Sequence, residues 1–486
     1  MPEVGPRENE AASPASEPSL PLRSSIITIC TCGALLAGAN LLRALIAGFA
    51  TRLASGWLIS MKYYQAIITA LRGRCGAPRP VGPHQEFEDE VFGPRSVQFQ
   101  LPRTLLLVNG FQNPQNVGEI FLAPLLRMFP QGKLRAISTA SSYMRAHRQA
   151  WNGVEVDYHP TSSSSLPIVS SLQFRRFRVL EQETLLKIVQ KSVREHSCEA
   201  IWAILNTPAI IWSALAISRA VRLPLYSMVL DPLQFVTHNI CLDPAVKQIE
   251  DRFVETLQNS QRVAVIGPSM AAEYRARYGV EATSIVHGVP PHLWRLGSRP
   301  ASAEGFTIAF AGSLYAKQEW RSLLEGLRIN GNRVGGRPVK IVFFGRKPLT
   351  GVPMPELVEF RGPVELHTLV DALNQADVCY LPYWFDERRS DIVRLSFPTK
   401  LSTYVASGTP VLYHGPLNSS PTAFMEQYPV GVCCHDLSPR AVVSALERCA
   451  PETGIREAIG GPAQRALSEH LGLPAMARCF QQWLRA

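Results

Sequence analysis

From residue 104 onward, short continuous apolar runs alternate with amphipathic stretches, separated by polar or glycine-rich turns. Thr104-Leu105-Leu106-Leu107-Val108 ends in Asn109-Gly110, and such a run predicts a strand buried on both faces of a parallel sheet. Gly118 then opens a helical stretch carrying Ile120, Leu122, Leu125 and Leu126. The alternation continues with strands at Ala200–Leu205, Leu223–Leu230 and Arg262–Ile266, and with helices at Ile210–Val221, Glu250–Gln258 and Met270–Tyr278. Ser284-Ile285-Val286 leads into His287-Gly288-Val289-Pro290-Pro291, a turn-rich hinge.

After the hinge the pattern restarts. Strands are expected at Phe306–Ala311, Val339–Phe344, Val358–Phe360, Asp377–Leu381, Pro410–Tyr413 and Val430–Cys433. Helices are expected at Trp320–Leu327, Leu366–Gln375 and Lys400–Ser407, after Pro439 and in the tail. Strand–helix–strand repetition is the signature of a doubly wound parallel sheet. The expectation is an α/β chain with two Rossmann-like units, residues 103–295 and 296–486, facing across a cleft. Ligands of open α/β sheets bind beyond the carboxyl ends of the strands, so post-strand residues are the candidates for a site.

Upstream, residues 1–23 hold five prolines among Glu, Ser and Ala and read as a disordered leader. Ser24–Leu42 is free of charge, and the apolar character persists to about Leu71, with Arg43, Arg52 and Lys62 interspersed. Three readings of residues 24–72 stand side by side: a membrane-spanning helix, a basic helix pair lying on a membrane surface, and a structureless leader. Residues 73–102, with their prolines and the acidic run Glu86-Phe87-Glu88-Asp89-Glu90, read as a linker.

Of the 486 residues, 46% are hydrophobic and only 18% charged, which excludes a disordered chain or a coiled coil. The net charge of +10 suits anionic partners such as nucleotides or phospholipid headgroups. Residues 101–200 are the most lopsided, with twelve Lys or Arg against seven Asp or Glu. The ten cysteines form no CxxC pair and no zinc-like spacing, so no metal and no disulfide scaffold is expected, and a cytoplasmic protein fits. No cofactor is expected. Nucleic acid is not an expected partner either, because no stacking-aromatic pattern accompanies the charge.

Three blocks of the second half carry more specific information. Ala311-Gly312-Ser313-Leu314-Tyr315-Ala316-Lys317 is a post-strand glycine turn followed by a lysine. Ala376-Asp377-Val378-Cys379-Tyr380-Leu381-Pro382-Tyr383 is a strand with a proline exit. Ser396-Phe397-Pro398-Thr399-Lys400-Leu401-Ser402-Thr403-Tyr404-Val405-Ala406-Ser407-Gly408-Thr409-Pro410-Val411-Leu412 is the longest. Together they resemble the nucleotide-sugar-binding domain of glycosyltransferase family 4, the group 1 glycosyltransferases, which have the GT-B fold. The resemblance covers roughly residues 300–465 by motif and residues 104–295 by pattern.

It implies a hexosyltransferase-type glycosyltransferase that moves a sugar from a nucleotide-sugar donor to a carbohydrate or lipid-linked acceptor, with retention at the anomeric carbon. Polysaccharide biosynthesis on the inner face of a membrane would fit such a role. A donor that leaves as a diphosphate needs cations and N–H donors where negative charge develops. Gly312 and Ser313 offer close backbone approach, Lys317 and Lys400 two fixed cations, and Ser396 and Thr399 hydroxyl donors. The resemblance places Pro363 and Val364 at the nucleobase edge. Arg388, Arg389 and Asp391 are weaker donor-side candidates. Many family members carry two glutamates eight positions apart, and here those positions are Leu395 and Thr403. Thr403 retains a hydroxyl for a ribose; Leu395 retains nothing polar.

In the first half, Gly118 and Glu119 belong to the loop after the first strand, on the acceptor side, or to an ordinary strand–helix turn. Asp231 follows a strand and would orient an acceptor hydroxyl or take its proton, unless it merely caps a helix. His287 and Gly288 read as turn residues, and Arg175-Arg176-Phe177-Arg178 as a solvated helix face or a headgroup contact. Against the enzyme stands a second reading, a degenerate GT-B protein that binds a nucleotide or glycan without turnover. A nucleotide-sugar epimerase is a third.

Overall fold

The computed structural model describes residues 101–109, 117–139, 154–159, 167–238, 242–297, 305–345 and 351–485. The chain divides into two units, residues 1–80 and 81–486, and all of the described residues belong to the second. The expected leader, apolar segment and linker before residue 101 lie outside the described residues.

The first half contains β1 (Thr104–Val108), α1 (Val117–Arg127), β2 (Leu134–Ser138), β3 (Glu155–Tyr158), α2 (Pro167–Arg176), α3 (Gln182–His196), β4 (Ala200–Ile204) and α4 (Pro208–Val221). It continues through β5 (Leu225–Val229), α5 (Leu233–His238), α6 (Asp243–Gln258), β6 (Arg262–Val265), α7 (Pro268–Tyr278) and β7 (Ala282–Ser284). The second half runs through β8 (Phe306–Ala311), α8 (Lys317–Ile329), β9 (Arg333–Val334), β10 (Arg337–Phe344), β11 (Val358–Phe360), α9 (Leu366–Asn374), β12 (Val378–Pro382), α10 (Ser390–Leu395) and α11 (Thr399–Ala406). Then come β13 (Val411–His414), α12 (Ser420–Gln427), β14 (Gly431–Cys434), α13 (Pro439–Glu447), α14 (Ile455–Ala458), α15 (Gly460–Ala466) and α16 (Leu473–Leu484).

Each half is a twisted sheet between helices. Strand order is β3-β2-β1-β4-β5-β6-β7 in the first and β11-β10-β8-β12-β13-β14 in the second, with every one of these pairs parallel. Among the described residues, only the two-residue β9 pairs antiparallel, to β10. The inner strands of both sheets are buried along most of their length, as their apolar runs require, whereas the edge strands β3, β7 and β11 are partly exposed. Between β1 and β4, and between β8 and β12, the strand order reverses. At such switch points the connections leave in opposite directions and a crevice opens.

Two strands of the first half escape the apolar-run criterion. In β2, Arg135 pairs with Asp157 at 3.0 Å and with Glu155, both on the edge strand β3. Charges that neutralise each other across adjacent strands are tolerated in a sheet, and they break the run that marks a strand.

The chain crosses between the halves twice. Ile285 packs in the first core and Val286 in the second; Leu471 packs in the second and Leu473 in the first. The two crossings pair as a short parallel bridge at Val289 and Gly472. Val289 N–H donates to the Leu471 carbonyl (2.9 Å), and Leu473 N–H donates to the Val289 carbonyl (3.0 Å). Gly288 is required by this approach, because a Cβ there would lie 2.6 Å from Leu473 Cα. The hinge expected at residues 287–291 is therefore one strand of a two-stranded connection.

The second crossing delivers α16 to the first half, although the sequence pattern assigns residues 296–486 to the second unit. Phe480 and Trp483 pack on Trp202, with ring centroids 5.1 and 6.0 Å away, and Trp483 meets Tyr226 edge-on at 5.6 Å. The Tyr226 hydroxyl donates to the Arg485 carbonyl (3.2 Å). Such aromatic pairs add about 0.5–1.5 kcal/mol each beyond the area they bury. Amphipathicity identifies α16 as a helix, but periodicity does not reveal which half supplies its partner.

Candidate active site

Adjacent strand ends of the second sheet build one polar rim. After β8 the chain turns at Gly312, whose φ of +89° favours glycine, and its N–H donates to the Phe344 carbonyl (2.7 Å). Gly345 N–H in turn donates to the Gly362 carbonyl (3.0 Å), so the turns after β8, β10 and β11 are linked in series. Gly312 and Ser313 are exposed along this rim, and so are Pro363 and Val364 beyond β11. Lys317 is exposed at the first position of α8.

Lys400 sits over the β8 turn. Its ammonium donates to the Ser313 carbonyl at 3.4 Å and lies 4.4 Å from the centre of the Phe310 ring and 4.9 Å from that of Tyr315. A Cβ built on Gly312 would come within 3.7 Å of Lys400 Cε. No carboxylate among the described residues pairs with this half-buried amine. Burial pushes its pKa down to about 7. The two aromatic faces return part of the lost hydration energy, and the N-terminus of α11 adds positive potential. The arrangement is electropositive, with no carboxylate partner among the described residues.

Thr399 is half-buried at the start of α11, and Thr403 is buried one turn further on. Ser396 is buried; its carbonyl accepts from the Tyr383 hydroxyl (3.1 Å) and from the Ser420 hydroxyl, while its own Oγ has no partner. Leu395, one of the two positions where family members carry glutamate, is 2% exposed and belongs to the apolar core of the first half. Structure thus gives Leu395 a packing role.

Several contributors escape a motif search. Glu319, on the first turn of α8, is buried: its Oε1 accepts from Phe385 N–H (2.8 Å), and its Oε2 has no partner. Burial raises its carboxyl above the ordinary carboxylate value. The Trp384 indole N–H donates to the Tyr315 carbonyl (3.2 Å), with ring centroids 4.3 Å apart, and Arg389 lies over Trp384 at 4.9 Å. These contacts fix the loop after β12. Glu319 resembles any acidic residue in a helix's first turn, which is why sequence alone passes over it. Trp384 carried a usable signal, directly after the proline exit of β12.

Across the cleft, Asp231 follows β5. Burial raises its carboxyl to about 6; burial chiefly, with a smaller contribution from the Asp231 charge, raises Tyr274 of the first half and Tyr383 of the second. Tyr274 is itself buried, with its hydroxyl unpartnered. Gly118 and Glu119 lie in the first turn of α1. A cavity of about 460 Å³ opens between α5 and the segment leading into α10, lined by Gln234, Phe235, Arg388, Arg389, Ser390 and Asp391 among others. Arg388 pairs with Asp386 (2.8 Å), and Asp391 with Arg394 (3.3 Å). In the two-stranded connection, His287 is buried with Nδ1 unpartnered, and burial lowers its pKa to about 4. It is a neutral, buried part of the connection.

No family model matches the chain, and no curated protein matches it in sequence. Its fold has clear counterparts. The chain is similar to sucrose-phosphate synthase from Thermosynechococcus elongatus, with 12% identity and a TM-score of 0.57 over 78% of this chain and 97% of that one. It is similar to HepE from Anabaena, solved with UDP and glucose, with 14% identity and a TM-score of 0.54 over 78% and 98%. A glycosyltransferase from Rickettsia africae gives 11% identity and a TM-score of 0.55 over 79% and 98%. The described chain has the GT-B fold, the architecture of these glycosyltransferases: two parallel-sheet α/β halves.

Proposed function

We propose that the protein is a glycosyltransferase that moves a sugar from a nucleotide-sugar donor to a carbohydrate or lipid-linked acceptor, with retention. The observation that carries this reading is Lys400, an amine held between two aromatic rings with no carboxylate partner, at a helix start and over a post-strand glycine turn. HepE, of the same fold, has been solved with UDP and with UDP-glucose, which supports a nucleotide diphosphate as the occupant.

In this reading the diphosphate lies along Gly312 and Ser313 with Lys400 and Lys317 as counter-charges, Thr399 and Ser396 offer hydroxyls, and Pro363 and Val364 meet the base. Thr403 serves the ribose. As the bond from the anomeric carbon to the diphosphate oxygen breaks, its electron pair stays with the diphosphate, and Lys400 stabilises the charge that develops. The acceptor hydroxyl, oriented by Asp231 and approached from the side of Gly118 and Glu119, forms the new bond to the same carbon. Its proton passes to Asp231 or to the departing diphosphate. A lipid-linked acceptor would bring the protein to the inner face of a membrane; among the described residues no helix is long and apolar enough to cross one.

Purified protein incubated with UDP-, GDP- and ADP-sugars and an acceptor mixture should release nucleotide from one donor class. Absence of release from all three, with no diphosphate binding, would overturn the reading. Leu395 and Thr403 favour a second one, a GT-B protein that binds without turnover, since neither supplies the family's carboxylate. Tight diphosphate binding with no sugar transfer to any acceptor would establish that alternative.

A further inference from the structure

Among the described residues, the large apolar side chains more than 60% exposed are Val179 (73%), Leu180 (64%), Leu417 (64%), Ile168 (63%) and Leu172 (61%). Four of the five lie on one continuous helical stretch, where α2 runs through a π-helical turn (Phe177–Glu181) into α3. Ile168, Leu172, Arg175, Arg176 and Val179 recur at helical spacing and share one outward face. The π turn is closed by Gln182 N–H on the Phe177 carbonyl. Such a turn accommodates about one additional residue, which keeps Leu180 outward beside Val179.

The inner side of the same stretch is already committed. Phe174 and Phe177 are buried, Arg178 lies 4.1 Å from the centre of the Trp212 ring, and the Ser171 hydroxyl accepts from Leu242 N–H (2.7 Å). The helix thus carries large apolar side chains on its outward face as well as on its buried one over this length. Further along α3 the surface becomes ordinary again, with Glu183–Lys187 and Lys191–Glu195 ion pairs. Positive charge is concentrated where the apolar side chains are. Arg175 is exposed and Arg176 is 64% exposed, its guanidinium touching Glu181 at 3.2 Å.

We propose that this face docks into the headgroup layer of an anionic lipid membrane. Apolar side chains interleaved with arginines are what an interfacial helix presents, the first entering the acyl boundary and the second meeting phosphates. Charge complementarity selects this occupant. The leading apolar segment, residues 24–72, carries Arg43, Arg52, Lys62 and Arg72 and no acidic residue, so it brings the same charge as the face. Both share a preference for anionic lipid, and two weak membrane signals act together where one alone is marginal. The proposal does not depend on sugar transfer, because docking is read without any donor.

The test uses the full chain with vesicles of phosphatidylcholine, with or without phosphatidylglycerol, in flotation and in amide hydrogen exchange. Residues 168–181 should become protected on anionic vesicles and stay unprotected on neutral ones. An arginine near such a surface is worth about fivefold in partitioning, so Arg175→Ala with Arg176→Gln should weaken binding roughly 25-fold. Leu172→Ser with Val179→Ser should remove the protection, and both pairs alter exposed side chains, so an unchanged melting curve checks that the fold is kept. Protection confined to residues 24–71, with both variant pairs binding like the parent, would overturn the proposal. Protection of 168–181 that grows with protein concentration in the absence of vesicles would overturn it in favour of self-association.

Discussion

Arg394 of the second half grips Glu273 of the first through two hydrogen bonds, Nη1 to Oε2 at 2.7 Å and Nη2 to Oε1 at 3.1 Å. This bidentate pair spans the cleft beside a tight contact, for a Cβ on Gly267 would lie 2.9 Å from Phe397 Cβ. Arg394 holds the Glu273 carboxyl below its ordinary value. The stability it contributes is present above the unfolded carboxylate pKa and is lost as pH falls through the lowered folded one. Arg394→Ala should therefore open the cleft at neutral pH. Small-angle scattering should give a larger radius for the variant than for the parent, and a diphosphate should compact the variant more. Equal radii with and without ligand in both proteins would mean that the pair does not control closure.

Lys400→Ala should lower turnover by about 10²–10³ and weaken diphosphate binding without unfolding the protein. With the amine pKa near 7, the cation is lost as pH rises above neutrality. Diphosphate affinity, measured by calorimetry between pH 6 and 9, should fall with pH in the parent. It should be flatter in the variant. A variant with the parent's affinity and pH profile would remove Lys400 from the phosphate site.

Asp231 titrates in the other direction. Its pKa of about 6 lies above the unfolded value near 4, so the native state holds the proton more tightly between the two. Its stability contribution is full below pH ~4 and is lost as pH rises through about 6, a cost of roughly 3 kcal/mol at neutral pH. Asp231→Asn should be more stable than the parent at pH 8 and similar at pH 4, while transfer activity falls. Thermal melts and initial rates on the same samples check both. A variant with unchanged rates would leave Asp231 as a buried structural acid.

Leu395→Glu tests whether the family's carboxylate can be restored. The side chain would enter an apolar core with no cation placed for it, so the variant should lose on the order of 3 kcal/mol or more in urea unfolding. A stable Leu395→Glu protein with higher turnover would contradict the packing role. Gly288→Ala should cost about 1–3 kcal/mol for a steric reason alone, since the added methyl meets the backbone of the second crossing.

What the sequence makes legible follows from the physics of each feature. Buried parallel strands announce themselves as apolar runs, and β1, β4, β8 and β12 are read directly. A strand that neutralises its charges against a neighbour, as β2 does through Arg135 and Asp157, hides the same information in a partner 22 residues away. The rim shows a similar split. Gly312 and Lys400 stand in recognisable blocks because a post-strand glycine turn and a lysine at a helix start are features of contiguous sequence. Glu319 and Tyr274 do not, because their importance lies in burial and in unpartnered polar atoms, and these exist only once distant elements have packed.

The return of α16 to the first half also bears on how the protein is made. The aromatic wall against Trp202 is finished by Phe480 and Trp483, which leave the ribosome long after the first sheet has been synthesised. Until then the emerging first half exposes an open apolar flank, and domains that fold in order of synthesis cannot complete it alone. Its maturation is tied to the entire second half, which must be translated and folded between the two crossings before the last helix closes the first.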